Sequence, residues 1–197
     1  MNEKRSAYEE RVLDAGALRA LAHPLRVQLY DILSQYGPQT ASSLAEMSGE
    51  SSGSTSYHLR ELAKHDLIRE VEGRGSARER WWERPAGAIS FTNPEAMKTP
   101  AGLAATQVIM TEHLNRRHQQ LLAFMNEAMR SPEQLDDDAT LVSTAALRLT
   151  DEQAKDLIER LSAIVAEVRE ATRDQQVDGA HPFTVRMDVF ALPEEKH

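Results

Sequence analysis

The sequence predicts a mixed α+β protein that is mostly helical, and three observations support this prediction. Apolar residues recur at intervals of three and four along several stretches, which is the spacing of one face of a helix. A Gly73-Arg74-Gly75 turn separates two short strand-like runs. Near the carboxyl end, two alternating apolar patterns flank a strongly amphipathic stretch. Together these features predict a helical amino-terminal domain with a hairpin, then a long helix, then a strand–helix–strand unit.

The first two helices are predicted to meet at a proline. A first helix should run from Arg11 to about Ala22, where apolar residues lie three and four positions apart. It ends before Pro24, because proline disfavours the helical conformation of the residue that precedes it. Proline also suits the first turn of a helix, so the second helix begins at Pro24. Gly37 then closes this second helix.

Two further helices are predicted, with a tight turn between them. Thr40 suits the N-cap of a short third helix, because its hydroxyl can accept a hydrogen bond from a backbone amide of the first turn. Gly49 makes the turn that follows. Ser51 or Ser52 caps a fourth helix, which is predicted to run to about His65.

A hairpin follows the fourth helix. Residues 67–71 and 79–84 are strand-like and flank the glycine turn. Because a two-stranded hairpin is marginally stable alone, either Trp81 or Trp82 should pack on the helices. Two short helices followed by a hairpin outline a winged helix-turn-helix, a motif that places its second helix in the major groove of duplex DNA. We therefore expect residues 11–84 to form a DNA-binding domain.

The next segment predicts a linker and a long helix. Residues 85–100 contain three prolines and have the composition of a linker. A long helix is predicted from about Ala101 to Met129. A long helix with a narrow apolar seam and no neighbour close in sequence often packs on a copy of itself, which predicts a homodimer. The seam consists of Leu103, Met110, Leu114, Leu121, Met125 and Met129.

The last segment predicts a strand–helix–strand unit. Residues 140–149 are compatible with a strand, and residues 183–191 show the clearest alternation in the chain. Thr150 and Gln153 fit a capping box that opens the amphipathic helix between them. Two strands make a poor sheet, and pairing with a second subunit would complete it. Residues 101–192 are therefore assigned to a dimerisation domain, with effector binding as a further hypothesis.

Candidate DNA-contacting side chains lie on the fourth helix and on the hairpin. Hydrogen-bonding and planar groups near the start of such a helix reach base edges, whereas arginine and lysine bind phosphates. The alternative is that the serines are only caps and the hairpin arginines only balance nearby glutamates. The candidates for base contacts are Ser52, Ser54, Thr55, Tyr57 and His58. The candidates for phosphate contacts are Arg60, Lys64, Arg74, Arg78 and Arg80.

The distribution of charge favours DNA binding by the amino-terminal part only. The whole chain has a net charge of −8. Residues 1–90 carry 12 Lys+Arg and 13 Asp+Glu, whereas residues 91–197 carry 11 and 18. The acidic carboxyl-terminal part would be repelled by phosphate, so we expect it to face away from DNA.

Several functional classes are disfavoured by the sequence. The chain has no cysteine, which excludes disulfides and thiolate ligands, and its seven histidines lack metal-ligand spacing. We therefore predict no metal site and no cofactor. No phosphate-binding glycine loop, nucleophile elbow or paired His-Glu metal helix is present, so an enzyme is not expected. The chain lacks an apolar stretch long enough to span a membrane and a signal-peptide core, which predicts a cytoplasmic protein without a membrane partner.

Two motifs resemble those of the ArsR-type winged-helix transcriptional regulators. Residues 20–26 read ALAHPLR, similar to the Ala-Leu-x-x-Pro-x-Arg helix junction of that family, and residues 56–59 read SYHL, similar to its recognition-helix core. The resemblance covers residues 11–84 and implies a homodimer on a palindromic operator. It also implies that His58 and its neighbours lie in the major groove and that the wing contacts flanking DNA. Many family members sense metals through cysteines, which this chain lacks.

The sequence thus predicts a sequence-specific DNA-binding transcriptional regulator, with repression as the expected effect. Its predicted partners are double-stranded DNA and a second copy of the chain. One alternative is a regulator that senses a small molecule in an apolar pocket of the carboxyl-terminal domain. Another is a winged-helix module for protein–protein interaction, which would show no salt-dependent DNA binding.

Overall fold

The computed structural model describes residues 10–76, 79–85, 87–130, 139–172, 175 and 177–193. The chain divides into two compact units, one within Glu9–Thr140 and one that contains the residues from Leu141 onward. The first unit contains β1 (Glu10–Val12), α1 (Ala15–Leu21), α2 (Pro24–Tyr36), β2 (Gln39–Thr40), α3 (Ala41–Ser48), α4 (Ser52–Ala63), β3 (Arg69–Ser76), β4 (Glu79–Glu83), β5 (Ala88–Ser90), α5 (Pro94–Met97) and α6 (Pro100–Arg130). The second unit contains α7 (Asp151–Thr172).

The start of the first unit differs from the predicted helix. Residues Glu10–Val12 form β1, which pairs in parallel with β5, and α1 begins only at Ala15. The side chain of Asp14 caps α1 by accepting a hydrogen bond from the backbone N–H of Ala17 at 2.8 Å. The prediction of a helix from Arg11 was wrong, because the strand that pairs with this segment lies far away in the sequence.

The junction between α1 and α2 is confirmed. Helix α1 ends at Leu21, and α2 begins at Pro24, which occupies its first turn. The Nδ1 atom of His23 accepts a hydrogen bond from the backbone N–H of Leu25 at 3.2 Å, so His23 is the N-cap of α2. The proline and its preceding residue therefore both specify where the second helix starts.

The two helices of the helix-turn-helix are also confirmed. Thr40 and Ser43 form a reciprocal capping box at the start of α3, in which each hydroxyl accepts a hydrogen bond from the other residue's backbone N–H, at 3.1 and 3.0 Å. Gly49 ends α3 in the left-handed conformation. Ser51 caps α4 by accepting a hydrogen bond from the N–H of Ser54 at 3.2 Å.

The wing is a three-stranded antiparallel sheet, with strand order β2-β4-β3. Strands β3 and β4 form the predicted hairpin. Strand β2 was not predicted; its two residues pair with Trp81 and Trp82 of β4. Trp82 is buried in the core, which confirms that one tryptophan anchors the hairpin. The third strand is too short to show an alternating pattern in the sequence.

Residues 85–100, interpreted from the sequence as a linker, form a packed connection. They contain β5 and α5, and Ala96 of α5 is buried. Asn93 caps α5 and also donates a hydrogen bond from Nδ2 to the carbonyl oxygen of Leu13 at 2.9 Å. A Cβ atom at Gly102 would lie 2.0 Å from the carbonyl oxygen of Ala96, so only glycine lets α6 approach α5 this closely. These contacts fasten the segment to the first unit.

The long helix α6 packs on the amino-terminal core along one side. Its buried residues near the start are Gly102, Ala105, Thr106 and Ile109, and this side faces α1 and α2. The helix itself is confirmed, but the predicted apolar seam is not its buried side. The seam begins at Leu103, one residue after the buried Gly102, and each residue turns an α-helix by about 100°, so the seam is rotated by about that angle from the buried side. Leu103 and Leu114 of this seam are 40% and 49% exposed.

Polar contacts continue the junction of α2 with α6 beyond Ile109. The guanidinium Nε of Arg116 donates a hydrogen bond to Oδ2 of the buried Asp31 at 3.1 Å. The Nδ1 atom of His113 lies 3.4 Å from Oδ1 of the same carboxylate, without hydrogen-bond geometry. Gln120 donates to Oε1 of Gln35 at 2.7 Å.

One hydrophobic core joins the helices of the first unit with the wing. Residues from α1, α2, α3, α4, α6 and the segment after α4 contribute to it, together with Trp82. The position of α4 is therefore set by packing on several elements at once. The large hydrophobic side chains that are fully buried are Leu13, Leu18, Leu21, Leu29, Leu44, Leu59, Leu62, Leu67, Ile68 and Ile109.

The second unit confirms the predicted helix but not the two strands around it. Thr150 and Gln153 form the predicted capping box of α7, with hydrogen bonds of 2.9 and 3.2 Å. Residues 141–150 and 180–193 are described as neither helix nor strand. The predicted strand–helix–strand unit was therefore wrong for this chain alone, because an alternating pattern makes a strand only when a neighbouring strand accepts its hydrogen bonds.

Candidate nucleic-acid interface

One face of α4 is exposed along its whole length. Gly53, Tyr57, Arg60 and Lys64 follow one another at spacings of four, three and four, and all four are exposed. Tyr57 is the largest of them, and its side chain is 56% exposed. The Nζ atom of Lys64 lies 2.5 Å from Oε1 of Glu61, in an exposed ion pair. A phenol followed by two cations on one helix face suits a groove that is lined by phosphates.

The first turn of α4 presents free backbone amides beside this face. Ser51 satisfies one amide as the N-cap, and the exposed Ser52 and half-buried Ser54 stand on either side of Gly53. The first N–H groups and the dipole of a helix make its start attractive to phosphate oxygens. The serine hydroxyls can donate and accept hydrogen bonds at base edges.

Two predicted base contacts are instead buried, away from the exposed face of α4. Thr55 is 0% exposed, and its hydroxyl has no hydrogen-bond partner among the described residues. His58 is 9% exposed, and its ring packs against the ring of His23. Their positions disagree with a direct role at base edges, because both side chains are covered by the core that holds the helix.

The two motifs noted in the sequence meet in space at His58. Its ring lies 4.5 Å from the ring of His23, centroid to centroid, and its Nδ1 lies 3.5 Å from Nη1 of Arg26. The Nε group of Arg26 donates to the carbonyl oxygen of Ala20, at the end of α1. Residues 20–26 and 56–59 therefore form one contact that joins α1, α2 and α4.

Burial changes the protonation equilibria in this contact. Burial lowers the pKa of His58, and the nearby His23 and Arg26 lower it further. Burial also lowers the pKa of His23, with a smaller effect in the same direction from Arg26. Both imidazoles are consequently favoured in their neutral form.

The end of α4 is held by an arginine that sequence reasoning did not select. Arg11 donates hydrogen bonds to the carbonyl oxygens of Asp66 and His65, at 2.6 and 2.9 Å. A cation at the carboxyl end of a helix is favourable, but Arg11 lies too far away in the sequence for this signal to be visible. It acts as a support for α4 from β1.

The start of α3 adds a further candidate that the sequence did not single out. Ser42 is exposed in the first turn of α3, just after the Thr40 cap. In a helix-turn-helix the first helix crosses the DNA backbone, so a hydroxyl at its start can donate to a phosphate. The sequence signal that could have identified Ser42 is the Thr40 capping pattern, because it marks the start of α3.

The wing holds its arginines close to neighbouring side chains. Arg74 stacks on Trp81, with 3.6 Å from its guanidinium carbon to the ring centroid. Nη1 of Arg80 lies 3.4 Å from Oε2 of Glu70. The third predicted wing arginine, Arg78, lies outside the described residues. Gly75 has a φ of +99°, and a Cβ there would lie 2.2 Å from the carbonyl oxygen of Glu79, so the tip requires glycine.

Among the described residues, no group of three or more His, Cys, Asp or Glu side chains could hold a metal ion. A search of the same residues found no helix that combines the length and the apolar character needed to cross a bilayer.

Comparison with known proteins assigns a class to the centre of the first unit. Residues 21–71 match the family described as "Helix-turn-helix domain". No curated protein matches the chain. One solved structure, described as "Crystal structure of Possible transcriptional regulator for arsenical resistance", is 25% identical in sequence, with a TM-score of 0.32. The match covers 55% of this chain and 94% of that one.

The fold and the family match together define a winged helix-turn-helix. The matched residues run from the end of α1 to the start of β3 and so include both helices of the motif. This match confirms the helix-turn-helix that the two sequence motifs predicted. Such domains bind DNA in transcriptional regulators.

Proposed function

We propose that this protein is a sequence-specific DNA-binding transcriptional regulator that acts as a homodimer on a palindromic operator. The observation that carries the proposal is the division of α4 into two faces. Its buried face fixes the helix on the core, while Gly53, Tyr57, Arg60 and Lys64 line the exposed face. A rigidly held helix with a free polar face is what major-groove recognition requires.

The roles of the contacts follow from exposure and chemistry. Ser52, Ser54 and Tyr57 would contact base edges, because they lie on or beside the exposed face near the start of α4. Arg60, Lys64, Arg74 and Arg80 would bind phosphates. Arg78 remains a predicted phosphate contact. Thr55 and His58 are not included, since both are buried.

The homodimer is proposed from the second face of α6. Leu103, Met110, Leu114, Leu121 and Met125 recur at spacings of seven and four on one side of the helix. This side is rotated by about 100° from the buried Gly102–Ile109 side, and its leucines at 103 and 114 are exposed. A seven-residue apolar repeat on a long helix packs well against a copy of itself. A dimer of this kind would bring two α4 helices to one DNA site.

Selection of bound sequences from random duplex DNA at physiological salt tests the proposal. Full-length protein should enrich a palindrome whose half-sites lie about one helical turn, roughly 10 base pairs, apart. A direct repeat or a single half-site would overturn the symmetric dimer. Absence of any enriched sequence, with binding that does not depend on salt, would overturn the DNA-binding proposal itself.

The face of α4 that reads DNA is tested by Tyr57→Ala against Thr55→Val. Loss of the exposed phenol should reduce discrimination between the selected palindrome and a scrambled duplex by about 1–3 kcal/mol, or roughly 5- to 150-fold. The valine variant should bind as the original chain does, since Thr55 is buried, and it should raise the free energy of unfolding because the hydroxyl has no partner. Competition binding and urea unfolding measure the two effects. Equal loss of discrimination in both variants would contradict the assignment.

Binding of a small molecule by the second unit is a second candidate function. A groove of about 440 Å³ lies beside the first turns of α7. Its lining combines Leu147, Leu149 and Leu157 with the charged Glu152, Asp156 and Arg160. Such a mixture suits an amphipathic metabolite with a cationic or polar group. Thermal shift against a metabolite panel tests this function, and a shift that persists in Leu157→Asp would place the ligand elsewhere.

The regulatory effect proposed is repression, because a dimer bound across an operator can block access to a promoter. The proposal includes no catalytic activity and no cofactor. We place the proposed regulatory activity in the cytoplasm.

A further inference from the structure

Three aromatic rings form a continuous array from the α1–α2 junction to the exposed face of α4. The ring of His23 lies 4.5 Å from that of His58, with the planes tilted by 39°. The ring of Tyr57 meets His58 edge-on, at a centroid distance of 5.1 Å. Tyr57 thus rests on a histidine that is itself held between α2 and α4.

The contacts of His58 require a particular protonation state. Its Nδ1 faces Nη1 of Arg26 at 3.5 Å. A guanidinium can only donate, so Nδ1 must accept and cannot carry a proton. Protonation would replace this attraction with two cations face to face, at a side chain that is only 9% exposed.

His23 imposes the same requirement at a different place. Its Nδ1 accepts the N–H of Leu25 as the N-cap of α2, at 3.2 Å. A proton on Nδ1 would remove the acceptor and leave the part-buried N–H of Leu25 without this partner. It would also set a positive charge at the positive end of the α2 dipole. Both histidines therefore support the junction only when they are neutral.

The charged groups around the two rings act in opposite directions. Arg26 from α2 disfavours protonation of both rings, and His23 also disfavours protonation of His58. Glu50, between α3 and α4, favours protonation of both, and Glu61 of α4 favours it for His58. Tyr57 interacts electrostatically with the guanidinium of Arg26. Burial is the largest effect on each imidazole, so the neutral form prevails.

We propose that His23 and His58 form a proton-sensitive latch that positions the recognition helix. In the neutral state the latch holds α4 on α2 and sets the orientation of Tyr57. When both rings gain protons, the cap of α2 and the contact with Arg26 are lost together, and α4 is released from the junction. His58 is thus a positioning residue for Tyr57, and a fall in pH weakens sequence-specific DNA binding.

The direction of the pH effect follows from the lowered pKa of each histidine. The folded-state pKa lies below the unfolded value of about 6.5, so protons bind better when the latch is open. The stabilisation is fully present above pH ~6.5 and is lost as the pH falls below it. At pH 5.5 the opening equilibrium should rise by up to about 10-fold per histidine.

Hydrogen exchange of α4 amides in the full chain, corrected for the intrinsic effect of pH, measures this opening. The opening equilibrium should increase by up to about 100-fold between pH 7.5 and 5.5. The variant His23→Asn/His58→Gln should lose most of this dependence, because asparagine keeps the N-cap and glutamine does not titrate. The control His118→Gln removes an exposed histidine of α6 and should keep the full dependence. An unchanged pH dependence in the double variant would overturn the latch.

A titration of the imidazole signals by NMR needs no variant and provides a second test. His23 and His58 should both titrate below the ordinary value of about 6.5. Titration of His23 and His58 at or above that value would overturn the proposal.

The expected effect of pH on DNA affinity rests on the proposed function, and its direction is distinctive. Affinity for a duplex selected at pH 7.5 should fall at pH 5.5, whereas histidines that gain charge beside phosphates would strengthen binding. A failed DNA selection together with pH-dependent opening would overturn the proposed function and leave the latch standing. Successful selection with opening that does not depend on pH would overturn the latch alone.

Discussion

The two compact units of the chain differ in how far they bury their apolar residues. In the first unit Leu18, Leu29 and Leu59 are 0% exposed, each covered by side chains from several helices. In the second unit Leu141 and Val185 are 87% and 68% exposed. The first unit has a core of its own, whereas the second presents apolar surface that one helix cannot cover. The difference teaches that an apolar pattern predicts an element but not the neighbour that buries it.

Helices α4 and α7 show the same contrast at the level of single elements. The short apolar face of α4, with Leu59 and Leu62, is fully buried. Helix α7 has the stronger amphipathic pattern, yet Ile164 and Val168 on it are 59% and 57% exposed. Association of the second unit with another copy of the chain, as in the proposed homodimer, would cover such a face.

The largest effect on stability is expected from a substitution on the buried face of α6, compared with one on its exposed stripe. Ile109→Ala removes a fully buried side chain and should lower the free energy of unfolding of the first unit by ~2–5 kcal/mol. The matched change Leu114→Ala, on the exposed stripe, should alter it by less than ~1 kcal/mol and should weaken the dimer instead. Urea unfolding and sedimentation equilibrium measure the two effects. Equal destabilisation by both variants would show that the two faces are not distinct.

A smaller effect is expected at the polar part of the junction between α2 and α6. Asp31→Asn keeps the shape of a buried side chain but removes the charge that faces Arg116 and His113. It should lower the free energy of unfolding by about 1–3 kcal/mol, because the pair is only partly shielded from water. The control Glu127→Gln breaks an exposed ion pair on the same helix and should have no measurable effect. Chemical denaturation compares the two variants. An unchanged free energy of unfolding in Asp31→Asn would mean that apolar packing alone holds α6.

The smallest effect on the first unit is expected from changes in the second. Val185→Ser replaces an exposed apolar side chain and should leave the unfolding of the first unit unchanged within about 0.5 kcal/mol. It should lower the tendency of the chain to associate if the apolar surface of the second unit is covered by another copy. Sedimentation velocity across a concentration series measures this association. A large loss of stability in the first unit would show that the two units share a core.

Local chemistry explains why much of the first unit could be predicted. The caps at Thr40, Ser51 and Thr150 were expected from side chains that accept neighbouring amides, and each one forms. The break before Pro24 and the turn at Gly49 depend on backbone restrictions of single residues. Such signals operate within a few residues, so a sequence displays them directly.

The candidate site was predictable in outline but not residue by residue. Tyr57, Arg60 and Lys64 are exposed as expected, whereas Thr55 and His58 are buried. All five are polar and lie within three turns of one helix, so their chemistry alone does not reveal which way each points. The support of α4 by Arg11, 54 positions away from the nearer of its two acceptors, was beyond the reach of any local pattern.

The sequence by itself determined helices α2, α3, α4, α6 and α7 and the hairpin turn, because these depend on contacts between near neighbours. It also determined the caps at Thr40, Ser51 and Thr150. Only the tertiary structure decided which face of α4 is free and that residues 10–12 pair with 88–90 as strands. It also decided that α6 buries its glycine- and alanine-containing side while Leu103 and Leu114 of the apolar seam stay exposed. These outcomes depend on how distant elements compete for the same core, and that competition is settled only when the whole unit packs.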